Sequence, residues 1–132
     1  FNRIMAAFSL PKGSPEEKAR RQEALEEATR EAIDVPFSVL KDCPGAVDMA
    51  EVMMRRGNQN SLSDAGVALL SVSTAAEGAL YNVLINLAGI QDAAYRAETV
   101  SKALRLNAEV QERTGLLRAE LLGILRSALP KD

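Results

Sequence analysis

The sequence predicts an all-α fold, a multihelical bundle with a buried central helix and a long C-terminal helix. Three observations lead there. No stretch shows sustained alternation of apolar and polar residues bounded by hairpin turns. Apolar residues recur instead every three or four positions, as one face of a helix requires. Residues 93–129 contain no proline, so a helix of roughly 50 Å can run uninterrupted there at about 1.5 Å per residue. The 132 residues are enough for one domain with its own core.

Taken in order, residues 1–10 carry Ile4, Met5 and Phe8 at helical spacing and stop at Pro11, the tail of a helix whose beginning is expected upstream. Ser14-Pro15-Glu16-Glu17 is a helix start, with Ser as N-cap, Pro at the first position and Glu three residues after the cap. That helix is expected to run to about Ile33, with Leu25, Ala28, Ala32 and Ile33 inward, and to break or kink at Pro36. Residues 36–41 read as a short apolar turn or helix, and Cys43-Pro44-Gly45 as a second interruption. Residues 46–56 place Val47, Ala50 and Met54 on one stripe, with Gly57 just past the end.

The central stretch is residues 57–90. It opens with the turn Gly57-Asn58-Gln59-Asn60, and a serine cap and Asp64 in the first turn suit the positive end of a helix dipole. The helix that follows is apolar on nearly every side and is expected to be buried all round. Its polar and small residues line up. At about 100° per residue, Asp64 and Asn82 share a line, with Ser71, Ala75, Gly78 and Asn86 within about 40° of it. Gly89 and Asp92 punctuate the chain before the last helix, where Val100, Leu104, Val110, Leu117, Leu121, Ile124 and Leu125 recur around one weak point, Gly115. A helix that overhangs its own core needs a partner, and a homodimer is expected.

Composition excludes several functions. A net charge of −2 and a pI near 5.3 speak against a nucleic-acid partner, and five aromatic residues offer no stacking platform for single strands. The lone Cys43 permits no internal disulfide framework and fits a reducing compartment. With no histidine, zinc sites of the usual His/Cys kind and Ser-His triads are ruled out, so acid–base chemistry falls to Asp, Glu, Lys, Tyr or the substrate. Residues 1–10 lack the basic start, apolar run and cleavage site of a leader, and a cytoplasmic location is expected. Glu77, Asn82 and Asn86 interrupt the apolar helix, so no membrane partner is expected.

Each candidate site residue has a plain structural reading beside the functional one. Asn58, Asn60, Ser61, Ser63 and Asp64 crowd one helix entrance, where a cap needs one such residue; the surplus suggests a ligand. Asn82 and Asn86, one turn apart, either bond a neighbouring helix and fix its register or contact a ligand. About 27 Å of helix separates Asp64 from Asn82, so one copy cannot hold a small molecule with both, whereas two antiparallel copies bring them together. Lys12, Arg20, Arg21, Arg55 and Arg56 are solvated charges or partners for a carboxylate or phosphate. Glu77, opposite Asp64, needs a partner if buried, and Met49, Met53 and Met54 read as core filler.

Gly57-Asn58, Ser63-Asp64-Ala65, Val67-Ala68, Gly78-Ala79 and the run from Asn82 to Leu87 together resemble the cyclodeaminase/cyclohydrolase family. Its members are the C-terminal half of formiminotransferase-cyclodeaminase and small stand-alone methenyltetrahydrofolate cyclohydrolases. Ala6-Ala7-Phe8, Leu10-Pro11-Lys12 and Val35-Pro36-Phe37 match in order and spacing, and the last helix matches only in being helical. The resemblance implies an all-helical, intertwined homodimer acting on one-carbon tetrahydrofolates, with no cofactor beyond the tetrahydrofolate bound as substrate. It also implies a further pair of helices upstream carrying a Pro-Gly-Gly-Gly-Ser motif, which these residues lack, so residues 1–132 are expected to be one such domain, incomplete at its N-terminus. Hydrolysis of 5,10-methenyltetrahydrofolate to 10-formyltetrahydrofolate is favoured, with release of ammonia from formiminotetrahydrofolate as the runner-up and a non-catalytic helical dimer as the third possibility. Asp64 is the expected catalytic residue, orienting water or stabilising the cation. A carboxylate in a helix's first turn is a better counter-ion than base, because the dipole favours its charged form. Asn58, Ser63, Asn82 and Asn86 are expected at the pterin or the water, and Lys12 or Arg21 at the anionic glutamate tail.

Overall fold

The computed structural model describes residues 2–130, and among them every regular element is helical. Helix α1 spans Asn2–Phe8, α2 Pro15–Arg56, α3 Leu62–Leu87 and α4 Ala93–Ser127, with a single 3-10 turn, Gln59–Ser61, leading into α3. Helices α2, α3 and α4 pack against one another, and α1 folds back on α2.

The start of α2 follows from its four-residue signal. Ser14 Oγ accepts from the Glu17 amide at 3.2 Å, and Glu17 Oε2 accepts from the Ser14 and Gly13 amides at 3.0 and 2.7 Å. Pro15 opens the helix, where no donor is needed. Arg3 reaches Glu27 and Glu31, while Arg21 donates from Nε and Nη2 to the Phe8 carbonyl at 3.3 Å, closing α1 onto α2.

The breaks expected at Pro36 and Pro44 do not occur: α2 is one helix of 42 residues, about 63 Å long at 1.5 Å per residue. Each proline removes one ladder bond, a loss of roughly 3 kcal/mol or more in isolation. The apolar stripe of Ile33, Leu40, Cys43, Val47, Ala50 and Met54 runs through both prolines and is buried along its length. At about 1.5–3 kcal/mol for each large apolar side chain removed from water, that burial outweighs two missing bonds. Gly57 ends the helix in extended backbone (φ −77°, ψ −176°), not the left-handed form, with its amide donating to the Met53 carbonyl at 2.9 Å. A Cβ there would sit 2.3 Å from that carbonyl oxygen, so the position needs a glycine for room.

Helix α3 is not buried all round. Leu62, Ala65, Leu69, Ala76, Ala79, Leu80, Val83 and Leu87 face the core, an arc of about 100° at 100° per residue. Val67, Leu70, Tyr81 and Ile85 are exposed, Ile85 at 74%. Helices α2 and α4 cover one side of α3, and among the described residues no further long helix lies against the other. By length and apolarity residues 59–87 are also sufficient to cross a membrane.

At the other end of α3, Asp92 caps α4 through the Ala94 and Tyr95 amides at 3.1 and 3.0 Å, and its second oxygen accepts from Arg30 Nη2 at 2.9 Å. The Arg30 guanidinium lies 4.2 Å from the centre of the Tyr95 ring. The Tyr95 amide and then the Arg30 side chain hold the Asp92 carboxyl below its ordinary range. Arg55 forks onto Glu120 at 2.8 and 3.0 Å, and Arg113 meets Asp48 at 2.6 Å, tying α2 to α4. Ser73 and Gln111 exchange two hydrogen bonds, 2.6 and 2.9 Å, across α3 and α4. Gly115 does not interrupt α4.

Candidate functional site

Two grooves flank the N-terminal half of α3, one on each side. Toward α2, Asp64, Ala65, Ala68 and Val72 face Ala46, Met49, Ala50 and Met53 across a cavity of about 460 Å³, with Ser61 at its mouth. Toward α4, Ser63, Gly66, Val67 and Leu70 face Arg118, Leu121, Leu122 and Leu125 across about 570 Å³. The 100° step between consecutive helical residues sends Ser63 and Asp64 to different grooves. Among the described residues Asp64 has no ion pair or hydrogen bond from another side chain, and it is the only charged group lining the α2/α3 groove. The carboxylate therefore stands exposed beside an apolar wall, uncommitted and accessible to a cation.

The other predicted residues lie apart from it. Asn58 Oδ1 accepts from the Asn60 amide at 3.0 Å and caps the 3-10 turn, while Ser61 stands at the N-cap of α3 without making a side-chain cap bond. The pair Asn82 and Asn86 is turned back on its own helix: their Nδ2 groups donate to the Gly78 and Asn82 carbonyls, both at 2.8 Å. Among the described residues neither amide bonds a neighbouring helix, which removes the register-fixing alternative. Asn82 is exposed and Asn86 half-buried, because their line on α3 lies at the edge of the packed arc. Glu77 is exposed and accepts from the Tyr81 hydroxyl, a bond that raises the Tyr81 phenol above its usual range.

Lys12 is exposed in the turn between α1 and α2, and Arg21 is engaged with the Phe8 carbonyl and ring. Met54 is core filler at 2% exposure, whereas Met49 and Met53, read the same way from sequence, are exposed at 66% and 55% and line the Asp64 groove. Their spacing of four held that signal, since Met49 and Met53 fall off the Val47–Ala50–Met54 stripe. Cys43 is buried, and burial, then Asp42, pushes its thiol up. Among the described residues no three His, Cys, Asp or Glu side chains converge as metal ligands.

Fold and groove together define an all-helical protein with a cleft between two helices, walled by small residues and marked by one carboxylate. The family profile described as formiminotransferase-cyclodeaminase matches residues 1–105, and the chain belongs to that family. It is 39% identical over 109 residues to a methenyltetrahydrofolate cyclohydrolase of Methylorubrum extorquens, covering 83% of this chain and 52% of that protein. It is 31% and 32% identical over 121 residues to the formimidoyltransferase-cyclodeaminases of Gallus gallus and Rattus norvegicus, covering 92% of this chain and 22% of each. The chain thus spans about half the length of the bacterial relative and about a fifth of the vertebrate ones.

Proposed function

We propose that this protein is a one-carbon tetrahydrofolate enzyme that hydrolyses 5,10-methenyltetrahydrofolate to 10-formyltetrahydrofolate. The observation that carries this reading is the 39% identity, over 83% of the chain, to a protein named for that reaction. The methenyl carbon bridges N5 and N10 as part of an amidinium-like cation and is already electrophilic. Water adds to it, the bond from that carbon to N5 breaks, the formyl group stays on N10, and one proton is released. Nothing in these steps requires histidine or any cofactor beyond the folate.

Asp64 pairs with the cation and orients the water at the α2/α3 groove, where its carboxylate is uncommitted. A second copy, packed antiparallel on the outward side of α3, brings Asn82 and Asn86 toward the Asp64 of the first and covers Val67 and Ile85. In this reading a homodimer, and not lipid, covers the apolar face; the Asp64, Glu77, Asn82 and Asn86 side chains on the same helix support it. Asn58 and Ser63 at the helix entrance contribute to the pterin site; Lys12 and Arg21, about 40 Å or more along α2 from Met49, meet the glutamate tail only when the second copy supplies them. A cytoplasmic location belongs to this reading.

Loss of ammonia from formiminotetrahydrofolate is the second reading, favoured by the match of 92% of the chain to the cyclodeaminases. It involves the same carbon in the opposite sense: N10 adds to the formimino carbon on N5, the bond from that carbon to the imino nitrogen breaks, and ammonia leaves as the methenyl bridge closes. The test is the decay of methenyltetrahydrofolate absorbance with purified protein. Asp64→Asn is expected to lower the rate by about 10²–10⁴-fold. Decay in the wild-type sample at the buffer rate removes the cyclohydrolase reading; absence also of methenyltetrahydrofolate formation from formiminotetrahydrofolate leaves a helical dimer that binds or scaffolds.

A further inference from the structure

We infer that the α2/α3 groove grips the flat, cationic heteroaromatic part of a ligand, with Met49 and Met53 against the ring and Asp64 as its counter-ion. This deepens the proposed function, since a methenyl-bridged pterin is such a cation, and it rests on that reading for the natural ligand alone.

Met49 and Met53 stand one turn apart on α2 and are 66% and 55% exposed, while Met54, the next residue along, is 2% exposed. Exposing long apolar side chains forgoes the free energy that burial gives, as it also does at Val52 and Ile85, but Met49 and Met53 stand on a groove with a carboxylate across from them. Thioethers are flexible and polarisable, make favourable contacts with aromatic ring edges and faces, and recur at adaptable binding surfaces. Beneath them Ala50, Ala65 and Ala68 extend no further than a methyl group, which keeps the slot open. A volume of about 460 Å³ lies within the range of small-molecule sites, roughly 300–1,000 Å³. The single charge on the wall is negative and has no side-chain partner among the described residues, so the complementary ligand is a cation. Asp64 is itself exposed, so the methionine and alanine walls contribute contact area and the carboxylate contributes the sign of the charge. Carboxylate, sulfur and small-residue floor therefore select together for a planar cation over a neutral or anionic ring.

The probe is proflavine, a flat heteroaromatic cation with no one-carbon bridge to hydrolyse, titrated into the 132-residue chain and followed by fluorescence anisotropy. Saturable binding is expected. Met49→Ala with Met53→Ala weakens it about tenfold, the sum of two thioether–ring contacts. Asp64→Asn weakens it by a similar factor, while Met49→Leu with Met53→Leu keeps part of the affinity. Val35→Lys, on an exposed part of α2 about four turns before Met49, leaves binding unchanged. The helical circular dichroism of each variant establishes that it is folded. Absent binding, or binding indifferent to the methionine and Asp64 changes, overturns the inference whatever the turnover assay gives. Methionine-dependent binding in a protein that does not hydrolyse methenyltetrahydrofolate sustains the groove and overturns the proposed reaction instead.

Discussion

The two sides of α3 are nearly alike in sequence and opposite in circumstance. Leu69, Val83 and Leu87 face inward and are all but inaccessible, while Val67, Leu70 and Ile85 are just as apolar and stand in solvent. Nothing in the side chains separates the sets; what differs is whether a neighbouring helix lies opposite. A helix that is apolar all round states how much covering it requires, and not how much of it a single chain provides. The polar residues sharpen the lesson. Asp64, in the first turn, borders a groove and keeps its carboxylate free, whereas Asn82 and Asn86, late in the helix, spend their donors on carbonyls one turn back.

The comparison breaks most directly in the core. Leu69→Ala is expected to destabilise the protein by about 2–5 kcal/mol, and Leu70→Ala, one residue on and half-exposed, by less than about 1 kcal/mol; urea denaturation measures both. Equal losses would mean that the outward side is covered in solution as fully as the inward one. The outward side has its own test. Ile85→Lys, at a position 74% exposed in one chain, should weaken self-association by roughly 30-fold or more in sedimentation velocity if a second copy sits there. A variant that associates like wild type moves the dimer contact elsewhere.

A smaller effect is expected at the turn that carries α3 into α4. The Asp92 carboxyl is held low by the Tyr95 amide first and by Arg30 second. A lowered folded-state pKa gives stability that is present above the unfolded value and lost as pH falls through the folded one, so this contribution disappears below about pH 4. The melting temperature should fall less steeply with acid in Asp92→Asn than in wild type. Smallest of all, Asn82→Ala and Asn86→Ala should each change stability by no more than about 0.5 kcal/mol, because each amide serves only its own helix. A loss several times larger would show that the amides hold a partner after all.

Local signals proved readable and non-local ones did not. The Ser14 capping box, the Asp92 boundary and the inward stripe of Val47, Ala50 and Met54 depend on residues within a turn of one another, and all are present as read. Pro36 and Pro44 read as interruptions because each proline's local penalty is visible in sequence, while the burial that outweighs it comes from α3 and α4. The same limit hid the site. Asp64 is evident as a helix-start acid, but that Met49 and Met53 stand across a groove from it depends on how α2 lies against α3. The Ser73–Gln111 exchange, 38 residues apart in the chain, left no local trace.

The chain contains two tyrosines and no tryptophan, and the two rings report from contrasting places. Tyr95 is stacked under Arg30 where α4 meets α2, and Tyr81 stands on the open flank of α3 beside Glu77. Fluorine introduced at tyrosine would give one nuclear resonance for the interior and one for the uncovered flank. Contact by folate, lipid or a twin subunit on that flank would then shift a signal that loosening of the bundle leaves in place.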